Sequence, residues 1–235
     1  HVRLRFAVRL IACAVLSCAA LPLQAAPAAK AVSATTEQPA RYGMALDTTW
    51  IRLPDGVRLS VDLYRPAGRT AGKRFPVLLE YLPYRKHEAR SRNWPLYSYF
   101  VQRGYVVAAV DIRGTGNSEG RIVPYEYSDI EHADGDVVID WLSQQAWSNG
   151  NVGMFGISWG GFNGLQIAAR RPPALKAVIS LCSTVDRYHG DVHYTGGCLN
   201  EENLEWGGYF FTMNGFPPDP DIVGNDRWRA MWRHR

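Results

Sequence analysis

The chain has 235 residues, 46% of them hydrophobic, which suits one sizeable globular core or slightly more. Its formal net charge of +4 comes partly from arginines near the two ends, Arg3, Arg5 and Arg9 and then Arg227, Arg229, Arg233 and Arg235. No basic stripe interleaved with aromatics crosses the middle, which argues against a nucleic-acid partner.

Residues 1–26 read as a secretory signal peptide. Arg3, Arg5 and Arg9 supply a basic start, and Leu10 to Leu23 is an apolar run too short for a permanent membrane span. Leu23-Gln24-Ala25 stands where a signal peptidase would cut. The expectation is an exported protein, periplasmic or secreted. An uncleaved N-terminal anchor is less favoured, and so is a lipoprotein modified at Cys18, for which Leu16 is a poor match. Residues 27–42, dominated by Ala, Pro, Thr and Ser, read as a disordered linker.

A globular core is expected over residues 43–183. Leu46–Leu53 and Val57–Tyr64 flank Pro54-Asp55-Gly56 and predict a hairpin. In its second strand Val57, Leu59, Val61 and Leu63 alternate with Arg58, Ser60 and Asp62, the period of a half-buried strand. Phe75–Tyr81 and Tyr105–Val110 predict buried strands, the second ending at Asp111, with a short helix over Asn93–Gln102 between them. Ser128–Gln145 predicts a longer amphipathic helix with Ile130, Val137, Val138, Trp141 and Leu142 inward. Ser128 and Glu131 match a capping box there, and Asp134, Asp136 and Asp140 read as its solvated or capping face.

The stretch Gly156-Ile157-Ser158-Trp159-Gly160 carries the chemistry. Asn151–Phe155 before it reads as a buried strand and Gly160–Arg170 after it as a helix. G-x-S-x-G between a strand and a helix is the nucleophile-elbow signature of α/β-hydrolases. The serine takes a strained backbone conformation, so its neighbours two positions away must lack bulk where strand and helix pack closely. Gly153, Gly156, Gly160, Gly161 and Gly164 crowd around this one position, which a plain connecting turn does not explain. The backbone N–H of Trp159 then lies at a helix N-terminus, placed to donate to a developing oxyanion.

Leu175–Leu181 predicts one more buried strand. Strands alternating with helices imply a mostly parallel sheet covered on both faces, the doubly wound α/β class, preceded by an antiparallel hairpin. From Asp186 the strand signal stops. Residues 184–235 read as the start of a helical cap, with helices over Glu201–Phe211 and Asp226–Arg235 separated by Pro217-Pro218-Asp219-Pro220. Cys182 and Cys198 read either as a disulfide or as buried thiols. The cysteines lack the spacing of a zinc site, and neither a metal nor a cofactor is expected.

Five motifs stand in order: Asp55-Gly56-Val57-Arg58-Leu59, Glu80 to Lys86, Asp111 to Gly120, Trp147-Ser148-Asn149-Gly150, and the elbow. Together with Val192 to Cys198 they resemble the X-prolyl dipeptidyl-peptidase and cocaine-esterase (CocE/NonD) family of serine hydrolases, from about residue 43 to the end. The resemblance implies an α/β-hydrolase fold with Ser158 as nucleophile. It also implies an oxyanion hole made from the Trp159 N–H and the Tyr84 phenol. Tyr81 and Tyr97 read as packing residues, and Asp111 and Arg113 as residues fixing the geometry of their loop.

An α/β-hydrolase also needs an acid and then a histidine after the nucleophile. Only His189, His193 and His234 follow Ser158, and the resemblance gives none of them that role; it places the acid and histidine beyond Arg235. The expected partner is a small-molecule or peptide acyl substrate. A dipeptidyl-peptidase needs carboxylates for the substrate amine, with Glu201, Glu202 and Glu205 as candidates against the reading of a solvated helix face. An esterase needs an apolar lining, which Trp206, Tyr209 and Phe210 offer. An inactive exported binding module of the same fold and an acyltransferase are the alternatives.

Overall fold

The computed structural model describes residues 38–235, so the expected signal peptide and most of the expected linker lie outside the described residues. At the near edge of the linker, the Arg41 and Tyr42 N–H groups both donate to the Gln102 carbonyl, and the Tyr42 ring meets Phe75 edge-on.

Six strands form the main sheet in the order β1-β2-β4-β3-β5-β6. The first two are the predicted hairpin, β1 (Gly43–Arg52) and β2 (Arg58–Ala67), closed where Leu53 and Val57 pair across the Pro54-Asp55-Gly56 turn. β2 pairs antiparallel with β4 (Val106–Asp111). From there β4, β3 (Phe75–Leu82), β5 (Ser148–Ile157) and β6 (Leu175–Leu181) run parallel, joined by helical crossovers. The crossovers are α1 (Lys86–Gln102), α2 (Asp129–Gln144) and α3 (Trp159–Arg170). Parallel strands need such crossovers, and the helices cover both faces of the sheet.

Several expectations need correction. β2 is buried on both faces, not half-buried, because α1 covers its polar side. Asp62 on that side accepts from Lys86 Nζ at 2.8 Å and from Arg90 at 2.7 Å. Burial alone would push the Asp62 carboxyl up, but the two cations outweigh it and hold it below its ordinary value. The first helix begins at Lys86 and runs through Pro95, where the sequence suggested a start at Asn93. Arg85, at φ 55°, turns the chain immediately before it. β6 is half-exposed rather than buried, since it is the outermost strand and pairs only with β5 among the described residues, leaving Ile179 and Leu181 about half accessible.

A further correction concerns α2. Ser128 does precede its first turn, but the serine side chain makes no capping bond. Ile130 faces solvent, whereas Glu131, Gly135, Val138, Ile139 and Leu142 face inward. Asp134 is buried too. It accepts two bonds from the Arg113 guanidinium, at 2.7 and 2.8 Å, while Asp136 and Asp140 keep to the outer side as expected.

After β6 come a two-strand ribbon, β7 (Tyr194–Thr195) with β8 (Cys198–Leu199), and the helices α4 (Glu202–Gly215), α5 (Pro220–Val223) and α6 (Trp228–His234). The proline-rich break between α4 and α5 docks on the end of the sheet that carries the elbow. Arg85 donates to the Phe216 and Pro217 carbonyls, and the Asp219 N–H donates to the Asn117 side chain at 2.8 Å. Cys182 and Cys198 are both exposed, unpaired thiols, so neither the disulfide nor the buried-thiol expectation holds. No described helix is long and apolar enough to cross a membrane.

Candidate active site

Ser158 joins β5 to α3 with φ 53° and ψ −117°, a conformation that non-glycine residues rarely take. Two backbone bonds hold it there. Its N–H donates to the Leu181 carbonyl at 2.8 Å, and its carbonyl accepts from the Phe162 N–H at 3.0 Å. The glycine crowding now has a cause. A Cβ on Gly156 would stand 2.7 Å from the Gly160 Cα, and one on Gly161 would stand 2.8 Å from the Leu181 carbonyl oxygen. Both are closer than real Cβ atoms approach, so strand, bend and helix pack this tightly only without side chains.

Tyr84 arrives from the turn between β3 and α1, at the carboxyl end of the parallel strands. The Trp159 backbone N–H donates to its phenol oxygen at 3.2 Å. Burial pushes the Tyr84 phenol up, opposed by hydrogen bonds to the Ser158 side chain and the Trp159 N–H. Ser158, Trp159 and Tyr84, read separately from two stretches of sequence, therefore meet at one point. Two donors 3.2 Å apart can both reach an oxygen about 2.9 Å from each, the spacing an oxyanion requires.

Helix α4 covers this point with aromatic rings. Trp206 meets Tyr84 edge-on at 6.1 Å, and Phe210 stacks on the Trp159 indole at 5.1 Å, only 10° from parallel. Tyr209 leans on Trp206 from the solvent side. Glu201, just before α4, and Glu202 and Glu205 on it are all exposed, the solvated reading of the two weighed for them.

Asp111 and Arg113 hold their loop in shape. Asp111 is fully buried and accepts from the Lys86 N–H at 2.8 Å and the Asn117 N–H at 2.9 Å, bracing the turn that follows Tyr84. Arg113 bridges Asp134 on α2 and Asp55 in the hairpin turn. Tyr81 and Tyr97 are buried packing residues, their hydroxyls donating to the Glu131 carbonyl and the Glu80 carboxylate.

None of the described histidines hydrogen-bonds Ser158. His189 Nδ1 lies 2.6 Å from the Asp186 carboxylate, His193 sits beside Glu126, and His234 ends α6. No group of His, Cys, Asp and Glu able to hold a metal occurs among the described residues.

Sequence reasoning missed one buried residue at the elbow. The Glu131 Oε1 accepts from the Trp159 indole N–H and from the Asn163 amide, both at 2.6 Å. Its spacing with Gly135, Val138 and Leu142 places it on the inward stripe of α2, a signal that the capping-box match concealed.

The model of the family described as X-Pro dipeptidyl-peptidase (S15 family) matches residues 55–235. The chain belongs to the S15 family. Among its relatives, the cocaine esterase of Rhodococcus sp. (strain MB1 Bresler) is 39% identical over 159 residues, covering 66% of this chain and 26% of that protein. A putative Xaa-Pro dipeptidyl-peptidase of Streptomyces avermitilis is 29% identical over 238 residues, covering 86% of this chain and 35% of that protein. The crystal structure of a CocE/NonD family hydrolase from Staphylococcus aureus superposes with a TM-score of 0.61 at 25% identity, covering 82% of this chain and 38% of that one. The fold is thus that of the α/β-hydrolases, and this S15 chain spans roughly a quarter to a third of the length of those two curated relatives.

Proposed function

We propose that the protein carrying this chain hydrolyses an ester or amide through an acyl-enzyme on Ser158. The observation that carries the reading is the pair of donors, the Trp159 N–H and the Tyr84 phenol, held 3.2 Å apart beside a strained serine. The Ser158 Oγ bonds to the substrate carbonyl carbon, and the carbonyl electron pair moves to oxygen. Trp159 and Tyr84 stabilise that oxyanion. Collapse expels the alcohol or amine, which leaves with the proton that a base took from the serine. Water then attacks the acyl-enzyme by the same steps and releases the acid. The base and its orienting acid are proposed to lie in the part of the protein that the relatives have and this chain does not span.

The aromatic cover supports an acyl ester in preference to an Xaa-Pro dipeptide. Trp206 and Phe210 line the approach to both donors, while Glu201, Glu202 and Glu205, weighed for holding a free amine, are exposed. Export of the protein stays a proposal resting on the composition of residues 1–26.

The test is labelling of the full-length protein by a fluorophosphonate, with turnover of p-nitrophenyl acetate and of an Xaa-Pro-anilide. Ser158→Ala is expected to lose labelling and turnover together. A wild-type protein that binds acyl ligands without turning them over would establish the inactive binding module instead. Acyl transfer to an added alcohol that outruns hydrolysis would establish an acyltransferase.

A further inference from the structure

We propose that Glu131 is a positioning residue whose ionised carboxylate fixes Trp159 and so aims its backbone N–H at the oxyanion, and that protonation of Glu131 relaxes this grip. Its effect on turnover rests on the acyl-enzyme reading; its titration does not.

The geometry is specific. One oxygen of a fully buried carboxylate takes two short bonds, from the Trp159 indole and from the Asn163 amide four residues later on α3. Both donors sit at the start of the helix whose first N–H is the oxyanion donor. The opposite constraint comes from the cap, where Phe210 stacks on the same indole. Trp159 is therefore held by its side chain from the core and from above, while its main chain faces Tyr84.

The second carboxylate oxygen, Oε2, is buried and has no hydrogen-bond partner among the described residues. A proton can sit there without displacing either donor from Oε1. Losing the charge turns two charge-assisted bonds into neutral ones, which are roughly half as strong.

The groups around Glu131 leave its charge poorly compensated. α2 contributes Asp134, a like charge already paired with Arg113 from the loop after β4. From β3 comes the Tyr81 phenol, which donates to the Glu131 main-chain carbonyl rather than to its carboxylate, and from the preceding loop the Tyr127 main-chain N–H favours the ionised carboxylate. α3 supplies only neutral donors. Burial, opposed by the indole and amide bonds, pushes the carboxyl up to about 7. The switch then falls in the neutral range, where a serine hydrolase works.

The experiment has two arms. In the ¹⁵N-tryptophan-labelled full-length protein, the Trp159 indole N–H resonance, assigned by its loss in Trp159→Phe, is expected to titrate with a midpoint near neutrality and to stay flat in Glu131→Gln. An indole resonance in the wild type that does not move between pH 5 and 9 would overturn the proposal. In the full-length enzyme, Glu131→Gln is expected to lower kcat about tenfold with little change in KM, and to remove the component of the acid limb near pH 7. Glu131→Asp, which keeps the charge, is expected to restore part of that limb. A kcat loss that merely follows loss of folded protein in thermal melts, with the acid limb intact, would also overturn it. If Ser158→Ala retains full activity, the nucleophile assignment fails while the indole titration still stands or falls by itself.

Discussion

The Trp159 backbone N–H points at the phenol oxygen of Tyr84 from 3.2 Å, although the two residues are 75 positions apart in the chain. Nothing local to either motif demands that meeting. β3 and β5 are neighbours in the sheet and run parallel, so the turns that leave their carboxyl ends open on the same crevice. Tyr84→Phe removes one donor and keeps the ring against Trp206. It is expected to lower kcat of the full-length enzyme by about a hundredfold, with KM changing far less, because the donor acts on charge that develops only in the transition state. Steady-state kinetics on an activated ester check this.

The elbow is expected to fail sterically before it fails chemically. Gly156→Ala places a methyl within 2.7 Å of the Gly160 Cα, where the obstacle is backbone and cannot rotate away. Over-packing of this kind costs about 1–3 kcal/mol, and the cheapest relief is to push α3 away from β5. That motion carries the Trp159 N–H with it. The variant is expected to fold with a lowered urea midpoint and to label with fluorophosphonate at least tenfold more slowly. Gly150→Ala, with open space around its Cβ but φ of 88°, should cost stability through backbone strain and leave labelling unchanged.

The pH dependence of stability follows from Glu131. Its folded carboxyl titrates at about 7, above its ordinary value of 4.5, so the folded protein binds more protons than the unfolded one between those pH values. The contribution of this group to stability is therefore full below about pH 4.5 and declines as pH rises towards 7. Each tenfold change in proton affinity is worth about 1.4 kcal/mol, so the decline amounts to a few kcal/mol. Glu131→Gln should flatten that part of the profile and leave the variant more stable than the wild type at pH 8, measured by urea denaturation across the range. A wild-type stability that rises from pH 5 to 7 by the same amount would contradict the assignment.

The sequence disclosed the elements better than it disclosed their depth. The hairpin turn, the elbow and the order of strands follow from local chemistry, and each lies within a few residues of its expected position. Burial depends on what covers a face, and that is not local. Asp62 and Ser60 looked solvated by alternation, yet α1 lies over them and Lys86 and Arg90 neutralise the charge. Asp134 has the look of an outer carboxylate, but Arg113 from a different loop packs against it. Conversely, Leu175–Leu181 has the composition of a central strand and stands outermost among the described strands. At the site, the bend at Ser158 was legible because its motif carries backbone requirements, whereas Tyr84 was reached only through the family resemblance. Glu131 was hidden because its position also suits a cap.

The ion cluster under α1 ties these observations to Tyr84. Lys86 and Asp62 are both buried, and Lys86 begins the helix two residues after the phenol, with its own N–H held by Asp111. Lys86→Met leaves the Asp62 carboxylate with Arg90 as its remaining cation partner. Breaking one side of a buried pair costs about 3–5 kcal/mol, because the surviving charge stays out of water. Asp62→Asn in the same chain removes that charge, and the double variant is expected to recover a large part of the loss. The single variant should also label more slowly at Ser158, since the start of α1 fixes the turn from which Tyr84 reaches the elbow. Urea denaturation of the two single variants and the double variant measures the coupling, and labelling rates show whether the double variant restores the position of Tyr84. Recovery of stability without recovery of labelling would mean that the Lys86 side chain steers Tyr84 independently of Asp62.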